Sequence, residues 1–146
     1  MLTRACAGGV VFIDNRVFIL KNDKGEWILP KGAIRDNQLA LDVALQRVKH
    51  EGNVDATIIS PAGETSYEFF SYSRKMPVCN KIDWFIMEAT NDSFTVNKHE
   101  GFLEGGFFPI DEALDKITYS QDKSLIRLAF RKYNFYINQK MAEVVG

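Results

Sequence analysis

Apolar residues along this 146-residue chain recur at two spacings, and the spacing changes where turn-forming residues fall. "RACAGGVVFID" and "RVFILK" are β-rich runs parted by Asn15 and its neighbours, which predicts an opening hairpin. The polar "NDKG" then turns the chain into "EWILP", and Pro30 and Gly32 end that strand in a loop carrying Lys31. Asp36 or Asn37 is placed to cap a helix beginning near Gln38. Leu41, Ala44, Leu45 and Val48 keep helical spacing, so one face of this helix is expected to pack on a sheet. Gly52 and Asn53, which both accept a left-handed backbone, close it.

Three strands are expected next: "VDATIIS", "SYEFFSY" and "KIDWFIMEA", the last two joined by a turn around "SRKMP". "GFFPIDEAL" gives a short strand and a helix start at Asp111. Beyond "TYS", Leu125, Ile126, Leu128, Ala129 and Tyr133 form a helical stripe in a segment from Gln121 to about Tyr136. The order strands, helix, strands, helix predicts an α/β (α+β) fold, a mixed sheet held between two main helices, as a single domain over residues 1–146.

Composition narrows the partners. Eighteen basic against nineteen acidic side chains leave a charge of −1, so no global field favours bulk nucleic acid or an anionic membrane. The apolar run from Ala5 to Ile13 is too short to span a bilayer. Cys6 and Cys79 lack metal-ligand spacing and the density of a disulfide scaffold, which fits two buried free thiols in a reducing, cytoplasmic compartment.

The segment from Gly32 to Val54 resembles the signature of the Nudix hydrolases, G-x5-E-x7-R-E-U-x-E-E-x-G-U with U aliphatic. Gly32, Val48, Glu51 and Val54 match it, while Gln38, Gln46, Arg47, His50 and Asn53 stand at specified positions that differ. "EWILPKG", "AGGVVF", "SYEFF", "NKIDWFIMEA" and "EGGFFPIDEALDKITYSQDKSLIRLA" are similar to the diadenosine-polyphosphate-hydrolase-like branch, so the resemblance runs from about residue 5 to about residue 132. It implies an α/β/α sandwich, with box glutamates binding magnesium or manganese against the pyrophosphate of a nucleotide or dinucleotide. Such cations take oxygen ligands and acidify the attacking water.

Positions 47, 50 and 51 lie at i+3 and i+4, so they share one helix face. The family pattern puts a charge of −3 on its five charged positions; here Gln38, Gln46, Arg47, neutral His50 and Glu51 sum to zero. Unit charges about 4 Å apart interact by roughly 4 kcal/mol at an effective dielectric of about 20, so exchanging a carboxylate for a guanidinium reverses a term of that order. The residues therefore predict weak or lost hydrolysis.

Three arrangements stay open. Glu51 can hold one magnesium with the substrate's phosphates, and His50 can ligate a softer metal. Alternatively, Arg47 binds phosphate without any metal, forming a clamp if Lys31 and Lys81 converge on it. Or Arg47 simply pairs with Glu51 one turn away. By the resemblance, Glu100 or Glu104 is placed to supply a loop general base. Tyr67, Phe69 and Trp84 are either core or a stacking surface for a base. The function classes are thus a hydrolase of nucleoside diphosphates linked to another moiety, a nucleotide-binding module, or a structural subunit, with a homodimer as a further expectation.

Overall fold

A computed structural model describes residues 1–145. Its strands are β1 (Leu2–Ile13), β2 (Arg16–Lys21), β3 (Trp27–Ile28), β4 (Lys31–Ala33), β5 (Ala56–Ser71), β6 (Met76–Ala89) and β7 (Glu104–Pro109). The helices are α1 (Ala40–Gly52), α2 (Ile110–Lys116) and α3 (Ser120–Val145). One mixed sheet runs β3-β2-β1-β6-β5, with β4 on β1 and β7 on β2; β1 and β6 are parallel, the other pairs antiparallel.

Alternation along the strands divides the core in two. Cys6, Val10 and Phe12 of β1 join Ile82, Trp84 and Ile86 of β6 under α2 and α3. Ala7 and Val11 join Met87 under Val43, Ala44 and Val48 of α1. β1 is therefore apolar on both faces, which explains its unbroken buried run. The expected mixed sheet between two main helices is what forms, with the short α2 beside α3.

Several boundaries differ from the sequence reading. Helix α1 begins at Ala40 after Leu39, which makes no side-chain cap; Asp36 instead takes a left-handed turn conformation at φ 51°. Gln38 closes this turn, its Oε1 accepting from Arg35 N at 3.0 Å. At the other end only Asn53 is left-handed (φ 52°). Gly52 is helical, and its missing side chain lets Phe18 pack against the backbone. Leu41, expected on the packed face, is 43% exposed, and Leu128 of α3 faces outward too.

"VDATIIS" and "SYEFFSY" form one strand, β5, because register irregularities at Ile58/Ser60 and Pro61/Gly63 absorb the proline on a sheet edge. Helix α3 continues to Val145, well past the last core contacts near Ile137. Both cysteines are free, Cys6 buried and Cys79 half-buried. Among the described residues no helix is long and apolar enough to cross a membrane.

Candidate functional site

The stripe that buries α1 also buries an acid. Ala44, Val48 and Glu51 follow at four and three residues, so the helix turns Glu51 inward, and it is 2% exposed. Its Oε2 accepts from Arg47 Nε at 2.9 Å and from Arg47 Nη2 at 2.7 Å. Arg47 can lie there because Gly32 has no side chain: a Cβ at Gly32 would stand 2.6 Å from Arg47 Cδ. Burial pushes the Glu51 carboxyl up to about 7, against the opposing pull of Arg47.

A loop completes the cluster. The last carbonyls of α1 need partners. Asn97 N donates to Glu51 O and Thr95 N to Gly52 O, while Asn97 Nδ2 donates to His50 O at 2.9 Å. Asn97 Oδ1 also accepts from His99 N and Glu100 N, setting the single turn Lys98–Glu100. That turn brings Glu100 Oε1 to 2.7 Å from His50 Nε2 and Glu100 Oε2 to 3.9 Å from Arg47 Nη2. The His50 contact, then the Arg47 charge, holds the Glu100 carboxyl below its ordinary value.

Arg47, His50, Glu51 and Glu100 are thus gathered, and Glu104 is not. Glu104 opens β7 opposite Lys21, whose Nζ lies 3.6 Å from Glu104 Oε2. Among the described residues no three His, Cys, Asp or Glu side chains are grouped so as to hold a metal ion.

Lys31 and Lys81 lie on opposite faces of the sheet. Lys31 is paired with Gly8 on the α3 side; Lys81 stands mid-strand in β6, exposed and paired with Ala5, on the α1 side. Lys31 lines a cleft of about 660 Å³ with Tyr67, Phe69, Trp84, Glu26 and Tyr119. Tyr67 is 41% exposed, and Lys31 Nζ lies 5.9 Å from its ring centre. Trp84, only 2% exposed, belongs to the core, its Nε1 donating to Thr65 Oγ1. Tyr119 donates a hydroxyl hydrogen bond to Glu26, which lowers the Glu26 pKa.

Some polar residues that shape these surfaces drew no attention in the sequence: Asn97, Glu26, Tyr119 and the pair Arg4–Asn80. Asn80 alone left a local signal, a polar residue in the apolar alternation Val78, Ile82, Trp84, Ile86.

The NUDIX domain, compared as a family, matches residues 2–129. The chain belongs to the NUDIX family. Solved structures share this NUDIX fold at low identity. A C. elegans Ap4A hydrolase binary complex is 16% identical, covering 89% of this chain and 96% of that one, with a TM-score of 0.71. The E. coli dihydroneopterin triphosphate pyrophosphohydrolase is 17% identical (86% and 95% covered, TM-score 0.69). A NUDIX hydrolase from Nitrosomonas europaea is 19% identical (92% and 74% covered, TM-score 0.67).

Proposed function

We propose that this NUDIX protein binds a nucleoside diphosphate linked to another moiety, with dinucleoside polyphosphates among its ligands, and that phosphoanhydride hydrolysis is weak or lost. The observation that carries this reading is the Arg47–Glu51 pair. Two guanidinium nitrogens cover one oxygen of Glu51, the only buried carboxylate among the described residues. Glu100 is drawn onto the same arginine and onto His50. A divalent cation wants several oxygen ligands and an acidic site. The side chains here do not fit the cluster the family implies: a cation at Glu51 would have to displace a guanidinium already there. Arg47 stands in the cation's place.

In this reading Lys31 meets phosphate in the cleft that Tyr67 also borders. Lys81, on the other face, makes no clamp with Lys31.

The test is a nucleotide panel that includes a diadenosine polyphosphate, monitored by calorimetry and by phosphorus NMR with magnesium or manganese. The expected result is binding that survives a chelator, with little turnover. Arg47→Glu combined with His50→Glu should raise turnover. Failure to bind any nucleotide sinks the proposal.

One observation favours a second reading, an active hydrolase using Glu51 with Glu100 as general base: the loop is bonded onto α1 so that Glu100 flanks Arg47. Chelator-sensitive turnover by the parent, abolished by Glu100→Gln but not by Glu104→Gln, would establish that reading instead.

A further inference from the structure

Asn80 and Glu51 are the two buried polar side chains of the described residues, and Asn80 is 3% exposed. Burying an amide is tolerated only when it is hydrogen-bonded. Asn80 meets that need with two side chains far away in sequence. Its Oδ1 accepts from Arg4 Nε at 2.9 Å, and its Nδ2 donates to Tyr67 Oη at 2.8 Å. The amide therefore fixes the Nε edge of the guanidinium. The Arg4 Cζ also lies over the Phe69 ring, 5.8 Å from its centre.

No described carboxylate forms an ion pair with Arg4 or with Lys31. The two cations share one sheet face. Arg4, Cys6 and Gly8 alternate onto it along β1, and Lys31 is the partner of Gly8. Cys6 lies between them and feels the charge of both. Arg4 and Gly8 are about 13 Å apart along the strand, so the cations bracket a row and do not meet at a point. Tyr67 and Phe69, 5.9 Å apart, floor the same row and line the cleft. The acids lining that cleft, Glu26, Glu68 and Asp122, leave Arg4 unpaired.

We propose that Arg4, oriented by Asn80, and Lys31 form a two-cation seat for a phosphate chain along the Tyr67–Phe69 face. An arginine held through Nε presents its Nη fork to an anion with little ordering left to lose, which suits bidentate phosphate binding. Lys31 contributes a point charge at the other end of the row. The seat deepens the nucleotide reading by selecting ligands with an extended polyphosphate over those with a lone phosphate. It rests on that reading for the nucleoside alone.

The test titrates the whole protein calorimetrically with inorganic tripolyphosphate, adenosine triphosphate and adenosine. The parent should bind the two phosphate-bearing probes, more weakly as salt rises. Arg4→Gln should weaken both about tenfold or more, as loss of a charged hydrogen bond does, and leave adenosine unchanged. Arg4→Lys should restore part of the affinity. Asn80→Leu should weaken tripolyphosphate binding with the Arg4 charge retained, which marks Asn80 as a positioning residue. Should that variant fail to fold, the two Arg4 variants decide alone.

Tripolyphosphate bound equally by the parent and Arg4→Gln, or not bound by the parent, overturns the seat. Arg4-dependent tripolyphosphate binding without nucleotide binding keeps the seat and removes the nucleotide reading. Nucleotide binding indifferent to Arg4 does the reverse.

Discussion

Glu51→Gln should stabilise this protein at alkaline pH and leave it nearly unchanged in mild acid. The folded carboxyl is raised from an ordinary value of 4.5 to about 7 because burial penalises its ionised form more than Arg47 relieves it. The folded state then binds its proton more tightly than the unfolded chain. Below 4.5 the group is protonated in both states and costs nothing. Between 4.5 and about 7 the cost grows, and above about 7 it is fully expressed. That gap corresponds to about 3 kcal/mol.

Glutamine has the shape of the protonated acid and still offers an oxygen to Arg47, so the variant reproduces the low-pH state at every pH. Urea unfolding followed by fluorescence of the buried Trp84 gives the stability of each form at pH about 4 and about 8.5. The difference between parent and variant should be close to zero at the lower pH and about 3 kcal/mol in favour of the variant at the higher. A variant that is less stable than the parent at the higher pH would show the ion pair to be net stabilising and would refute the reasoning.

Gly32→Ala puts a Cβ 2.6 Å from Arg47 Cδ, so it should cost about 1–3 kcal/mol by crowding. In an Arg47→Ala background that cost should fall by about 1 kcal/mol or more, and strict additivity in the double-mutant cycle would exclude contact as its origin. Asn97→Ala removes the bond to His50 O and the acceptor for His99 N and Glu100 N, a loss of about 1 kcal/mol. Hydrogen exchange at Asn97 and Glu100 should quicken while β1 keeps its protection; unchanged loop exchange would show that other contacts hold Glu100 beside α1.

Local chemistry along the chain determined a good part of this protein. The β-rich runs "RACAGGVVFID" and "KIDWFIMEA" set the sheet, and the helical stripe through Ala44 and Val48 set the face of α1. The same helical period makes Arg47 and Glu51 neighbours, so their pairing was legible as one of two readings of Arg47. Tertiary structure decided what spacing does not reach. Glu100 joins Glu51 while Glu104, four residues on, pairs with Lys21, because Asn97 docks its loop on the end of α1 and β7 registers against β2. Lys31 and Lys81 part to opposite faces because strand parity is fixed only once β1 has chosen its partners. Arg4 and Asn80 meet across 76 residues for the same reason. Periods of two and 3.6 residues are properties of a short segment, whereas contact between segments follows from register and from the burial that a particular register brings.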